Sequence, residues 1–165
     1  MPRVSLNAAE LEAIERKQKL ATELDSLIER KSKPRAKPAK AARDEMFEMV
    51  KARDWKGATG NHFVELYAWC HEKVYGIEPA EIRGTSKAAT TARKAAISMA
   101  SRMLKSEFDG PTQMANYLHW VFKREVEREK WRKENGREGG RITWRVVFAA
   151  GAVLTDYRIA KARQR

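Results

Sequence analysis

The chain has 165 residues, enough for one domain with appendages and for a core that forms without disulfides or metals. Its single cysteine excludes an intramolecular disulfide framework and favours a reducing, cytoplasmic compartment. The longest apolar run, 146–154, is too short for a membrane-spanning helix, which needs about 20 residues, so we expect no membrane partner. The formal net charge of +12 favours nucleic acid or an acidic protein as the partner.

Residues 1–31 predict an N-terminal amphipathic helix. One narrow apolar stripe runs along it at spacings of 3, 7, 3 and 4, through Leu11, Ile14, Ala21, Leu24 and Ile28. A stripe this narrow cannot form a core of its own. We therefore expect it to bind a second copy of the chain or a partner protein, and packing on the chain's own body is the alternative.

Residues 32–43 predict a basic linker rich in proline, alanine and lysine, in which Pro34 and Pro38 interrupt any helix. Seven cations without an intervening acid lead into and through it: Arg30, Lys31, Lys33, Arg35, Lys37, Lys40 and Arg43. An arm of this kind can lie along a phosphate backbone and release condensed counterions. The alternative is a solvated tether.

The body, residues 44–157, predicts an all-α fold. Apolar residues recur at helical spacing between Gly, Pro and Asn signals. The predicted helices lie near 44–55, from a cap at Asn61 to Gly76, at 79–82, from a cap at Thr85 or Ser86 to Lys105, and from Pro111 to about Asn135, with the outer half of the last one projecting into solvent.

The segment 142–154 is ambiguous, because its apolar residues fit both a strand and a helix face. We favour a helix, since no second strand is available to pair with it. Residues 158–165 form a basic C-terminal end.

Residues 79–105 resemble a helix-turn-helix: a short helix, a turn at Gly84 and a long helix with a polar, basic start. Such a motif places the start of its second helix in a DNA major groove, which would bring Lys87, Thr90, Arg93 and Lys94 to the DNA. The alternative is an alanine-rich helix packed against its neighbours, with its charges merely solvated.

No enzyme or cofactor site is expected. The chain has no phosphate-binding glycine loop and no Ser/His/Asp set in a known context. The possible metal ligands His62, Cys70, His71 and His119 match no zinc spacing, and a buried thiol with surface histidines explains them better. Four of the five tryptophans are expected mainly in the core, and Trp131 in solvent.

Three stretches, "ELYAWCHEKVYGIEP", "FDGPTQMANYLHWVFKREVE" and "LTDYR", resemble small, mostly uncharacterised DNA-associated proteins of tailed bacteriophages and prophages. The resemblance covers just over half of the chain and implies an association with DNA. We therefore expect an accessory nucleic-acid-binding protein, with DNA favoured over RNA, in replication, packaging or transcription. The alternative is a structural or adaptor protein of a virion or another assembly, with the N-terminal helix as its interaction element.

Overall fold

The computed structural model describes residues 39–137 and 139–164, and over these residues the fold is all-α, as the sequence predicted. The N-terminal amphipathic helix and residues 32–38 of the linker lie outside the described residues. The helices are α1 (Ala39–Ala52), α2 (Gly60–Tyr75), α3 (Ala80–Arg83), α4 (Lys87–Ser106), α5 (Pro111–Glu134), α6 (Trp144–Val147) and α7 (Ala152–Ala162). No described helix is both long and apolar enough to cross a membrane.

Helix α1 begins five residues before the predicted start at Asp44, so residues 39–43 are helical and the predicted linker 32–43 is too long at its C-terminal end. Alanine, lysine and arginine, which make up these five residues, are strong helix formers, and a preceding proline is tolerated at a helix start. Ala42 is also completely buried. This stretch thus contributes to the body, which the sequence did not indicate.

Helix α2 is the centre of the core and packs against α1, α4 and α5. Its aromatic rings make the principal contacts: Phe63 stacks on Trp55 at 5.8 Å, and Tyr67 lies 5.7 Å from the ring of Phe122 and 5.8 Å from that of Phe148. Buried aromatic side chains contribute large apolar areas and favour such tilted geometries. This cluster fixes α5 and the segment after it on the central helix.

The start of α2 differs in detail from the prediction, because Thr59 and not Asn61 occupies the cap. The backbone N–H of Thr59 donates to His62 Nδ1 at 2.9 Å, while His62 Nε2 lies 2.9 Å from Glu45 Oε2. The imidazole therefore accepts at one nitrogen and donates at the other. Gly76, with a φ of +72°, ends the helix as predicted.

Helices α2 and α4 cross at very close range at Gly60. A Cβ atom there would lie 2.1 Å from Ser101 Oγ and 2.6 Å from the carbonyl oxygen of Ile97. Real Cβ atoms do not approach other heavy atoms so closely, so only glycine fits. This contact sets the distance between the central helix and α4.

The segment 142–154 contains helix and no strand, as favoured, but only part of it is helical. It forms α6, an irregular stretch at 148–151, and α7, which runs through Ala162 into the predicted basic end. Phe148 and Leu154, each 2% exposed, anchor the two sides of this break, and Gly151 lies within it. The edge of Tyr157 then packs on Tyr117 and Trp120, both at 5.4 Å, which stabilises the added turns.

Two tyrosine hydroxyls hold the chain just before α6. Tyr67 donates to the carbonyl oxygen of Ile142 at 3.0 Å, and the backbone N–H of Ile142 donates to Tyr75 Oη at 3.1 Å. Tyr75 in turn donates to Glu125 Oε2 at 2.7 Å, and burial raises the pKa of Tyr75 to about 12. The loop that contains Gly139 and Gly140 is thus held at Ile142.

Candidate nucleic-acid interface

Helix α4 has two chemically different faces. Its inner face is buried and made of small residues, with Ala89, Ala96 and Ala100 at most 4% exposed. Small side chains let a helix approach its neighbours closely, and here they meet α2 and α3. No acidic residue occurs anywhere in the 20 residues of α4. Its cations therefore meet no carboxylate along their own helix.

The outer face carries a straight line of polar and cationic side chains, here named the α4 stripe. Its members recur at spacings of 4, 3, 4, 4 and 3, which keeps them on one side of a helix. They are Lys87, Thr91, Lys94, Ser98, Arg102 and Lys105, and all except the two hydroxyl residues are cations. At 1.5 Å per residue, the stripe is about 27 Å long.

The four stripe cations are exposed and have no ion-pair partner among the described residues. In the described part of the chain, no carboxylate oxygen lies within 4.0 Å of Lys87, Lys94, Arg102 or Lys105. The acids of residues 39–137 and 139–164 therefore leave their positive charge unneutralised. A line of such charges produces a local positive potential that attracts a polyanion.

Arg93 was predicted to contact DNA, and the structure gives it a different role. Its side chain points inward, where Nη2 donates to Glu65 Oε1 and, at 2.9 Å, to Asn61 Oδ1. Glu65 is completely buried and accepts from Arg83 at its other oxygen. A buried carboxylate needs such partners, because an unpaired buried charge is very costly. Arg93 thus joins α4 to α2 and is unavailable to DNA.

Lys87, Thr90 and Lys94, which the helix-turn-helix interpretation also singled out, are exposed at the start of α4. Ser86 caps the helix as predicted, since its Oγ accepts from the N–H of Ala89 at 3.1 Å. The hydroxyl of Thr90 donates to the carbonyl oxygen of Ser86 at 3.1 Å. Helix α3, the first helix of the motif, has only four residues.

The predicted basic arm is described only at its C-terminal end. Arg30, Lys31, Lys33, Arg35 and Lys37 lie outside the described residues, as do all five positions of the N-terminal apolar stripe.

Two cations of the arm are described. Lys40 is exposed in the first turn of α1. Arg43 is held on the body, with Nη1 3.2 Å from Glu78 Oε1 and Nη2 3.5 Å from Glu72 Oε2, and it lies 5.7 Å from the ring centre of Phe47. Because two carboxylates already engage Arg43, it is a structural cation and a poor candidate for DNA contact.

The outer half of α5 is also rich in cations, but it pairs them. Glu129 accepts from Arg132 at 3.3 Å and lies 4.0 Å from Lys133 Nζ, and Lys130 lies 3.8 Å from Glu134. Trp131 is 50% exposed, in agreement with the prediction, and Arg137 lies over its ring at 5.6 Å. This region is a solvated helix with mutually neutralised charges.

The thiol and the histidines have structural environments. Burial raises the pKa of Cys70 to about 12, which keeps the thiol protonated at neutral pH. His62 and His71 are buried and not on the surface as predicted, and burial lowers the pKa of His71. Within the described ranges, no three His, Cys, Asp or Glu side chains lie close enough together to hold a metal ion.

Two of the stripe cations were not named individually in the prediction from sequence. Arg102 and Lys105 continue the line of Lys87 and Lys94 at helical spacing, which the sequence shows once the helix is extended to Ser106. The signal was thus present in the spacing alone. What the spacing did not reveal is which of the neighbouring cations, Arg93 or Lys94, faces outward.

No protein-family model matches this chain, and comparisons with curated proteins and with solved structures give no match either.

Proposed function

We propose that the chain binds nucleic acid, and double-stranded DNA in particular, through the α4 stripe. One observation carries the proposal: four exposed cations stand in line on a helix that contains no acid and, among the described residues, meet no carboxylate. Neutralising phosphates with such cations releases condensed counterions, which supplies most of the free energy of non-specific binding.

The side chains between the cations favour a duplex. Thr91 and Ser98 are short hydroxyl residues, and Ala88 and Ala95 flank them, so the helix surface can approach a phosphate backbone or a major groove closely. No aromatic residue lies on the stripe. Proteins that bind single strands usually stack bases on aromatic side chains, and this face offers none.

The proposed mechanism is electrostatic capture of the duplex along the stripe, with short polar side chains contacting phosphates or base edges. In this role the chain would be an accessory factor in replication, packaging or transcription. The cations of residues 30–37 would add to the same interaction.

The test compares two matched sets of three lysines. One variant carries Lys87→Ala, Lys94→Ala and Lys105→Ala on the stripe, and the control carries Lys123→Ala, Lys130→Ala and Lys133→Ala on α5, where all three are also exposed. Binding to a random duplex is measured at several salt concentrations. The slope of log affinity against log salt should become less steep by about 2.7 for the stripe variant, because three phosphate contacts are lost.

The control should change that slope by less than about 1, because two of its lysines already lie near carboxylates. Equal slopes for the two variants would refute the assignment to α4. A single-stranded oligonucleotide of the same length, bound more tightly than the duplex, would refute the preference for double-stranded DNA.

A further inference from the structure

A groove on another surface runs between α5 and the segment 140–163, here named the α5–α7 groove. It consists of a cavity of about 240 Å³ and a shallower one of about 470 Å³. Trp120, Arg124 and Asp156 line both, and the ion pair between Arg124 Nη1 and Asp156 Oδ2, at 3.3 Å, lies where the two cavities meet.

Part of the lining of the groove is aliphatic and incompletely covered. Val121, Ile142 and Val153 line the smaller cavity together with Val146, which is 48% exposed. Ile159, also 48% exposed, lines the other cavity. Five large apolar side chains in the described residues are at least 42% exposed, and two of them belong to this groove. Exposed apolar surface next to a cavity is typical of interaction sites.

The rim of the groove carries an excess of positive charge. Four arginines line the two cavities: Arg124, Arg128, Arg141 and Arg163. Two of them are engaged, Arg124 by Asp156 and Arg128 by the buried Glu125 at 2.9 Å. Arg141 and Arg163 are exposed, and no described carboxylate lies within 4.0 Å of either. Because two carboxylates offset two of the four arginines, the rim keeps a net charge of +2, which would attract an anionic ligand.

The residues that line the groove favour a protein segment over a nucleic acid as the ligand. The ring of Trp120 is already engaged within the protein, because Arg124 lies over it at 4.7 Å and the ring of Tyr157 makes a T-shaped contact with it at 5.4 Å. Apart from Trp120, the apolar part of the lining is aliphatic, and the carboxylate of Asp156 within the groove would repel phosphates. The smaller cavity, of about 240 Å³, is below the size typical of small-molecule sites and suits a side chain of a bound segment, while the cavity of about 470 Å³ is shallower.

We infer that the α5–α7 groove binds an acidic amphipathic segment of another protein. An apolar side chain of the segment would fill the smaller cavity against Val146 and Ile142, and flanking carboxylates would pair with Arg141 and Arg163. The partner is thus recognised by an apolar anchor next to acids, which is the chemistry that the lining and the rim complement. This surface is independent of the α4 stripe.

The experiment uses the full chain, immobilised, and a displayed library of random 16-residue peptides. The selected peptides are synthesised and titrated against the full chain and four variants. Val146→Asp and Arg141→Glu change the groove. The matched controls are Val126→Asp, at a valine 53% exposed on α5, and Arg145→Glu, at an exposed arginine that does not line the groove. Circular dichroism checks that each variant is folded, and Ile159→Asp replaces Val146→Asp if the latter is not.

The expected result is a consensus with acids around one or two large apolar residues. Its affinity should fall at least about tenfold for either groove variant and less than about twofold for either control, because anchors in a cavity carry most of the binding free energy. The inference is overturned by an absence of enriched peptides, by a consensus without acids, or by equal losses in groove and control variants. It is also overturned if a single-stranded oligonucleotide competes with the peptides in the stripe triple-alanine variant.

Discussion

Helices α4 and α5 are both long, basic and exposed along one side, yet they handle charge in opposite ways. Helix α5 has six cations and four acids, and ion pairs at spacings of three and four residues connect four of these cations to acids of the same helix. Helix α4 has five cations and no acid, and it turns one of them, Arg93, inward to a buried carboxylate. The number of cations therefore says less about a binding surface than the position of the carboxylates.

The inner faces differ as well. Helix α5 packs through large rings such as Tyr117 and Phe122, whereas α4 packs through alanines and the close contact at Gly60. The position of α4 thus depends on a backbone contact and on the Glu65 ion pairs. Changes to its inner face should disturb folding, and changes to its outer face should disturb binding.

The largest effect should come from Arg93→Ala. It leaves Glu65 buried with a single guanidinium partner, and breaking a buried ion pair costs about 3 kcal/mol or more of unfolding free energy. Chemical denaturation measures this directly. Lys94→Ala, one residue along, should change the unfolding free energy by less than about 0.5 kcal/mol and should weaken duplex binding.

Lys130→Ala on α5 serves as the surface-pair control, because exposed ion pairs contribute about 0–1 kcal/mol. If Arg93→Ala and Lys130→Ala lowered the unfolding free energy equally, the buried charge on α4 would contribute no more to stability than the exposed charges on α5.

Gly60→Ala should come next, with a loss of about 1–3 kcal/mol, because the new methyl group collides with Ser101 and with the backbone of α4. Thermal unfolding followed by circular dichroism is suitable. Gly140→Ala is the control, since a Cβ there meets nothing within 4 Å. A neutral Gly60→Ala would show that the two helices can separate without cost.

Adding a single acidic residue to the stripe should give α4 cations that pair with an acid of the same helix, as on α5. Ser98 lies four residues from both Lys94 and Arg102, so Ser98→Glu places a carboxylate between two stripe cations. The single added charge offsets about one cation, so it should reduce the salt slope by about 0.9 and lower duplex affinity roughly tenfold, while the fold is kept. Ser98→Gln, with similar bulk and no charge, should bind almost normally. Equal binding by the two variants would contradict an electrostatic role for the stripe.

The reverse change on α5 should have the smallest effect. Glu127→Gln with Glu134→Gln removes two exposed acids and frees Lys130 from its partner. Duplex affinity should rise by about twofold to fivefold at low salt, and the gain should vanish at high salt because screening removes it. No gain at any salt concentration would mean that the position of α5, and not its carboxylates, keeps it from DNA.

Much of this contrast was predictable from sequence. The start of α4 at Ser86, its end near Lys105 and the start of α5 at Pro111 follow from local cap and turn signals, which act through neighbouring residues alone. The projecting, solvated half of α5 was also predicted, since its apolar residues become sparse.

The orientation of α4 was not predictable, because alanines on both sides of Arg93 and Lys94 give weak hydrophobic contrast. Which of the two cations is buried depends on Glu65, 28 residues away in the sequence. The fixing of Arg43 by Glu72 and Glu78 and the interruption at 148–151 likewise depend on tertiary contacts, which no local pattern contains.

The hydroxyls of Tyr67 and Tyr75, which hold the backbone of Ile142, should limit its local opening. Gly139, Gly140 and Arg141 are exposed, and their amides should exchange with solvent deuterium quickly. The amide of Ile142, bonded to Tyr75, should exchange far more slowly, because opening it also disturbs the Tyr75 bond to Glu125. We therefore expect protection from exchange to begin at Ile142, within two residues of Gly140 and before α6.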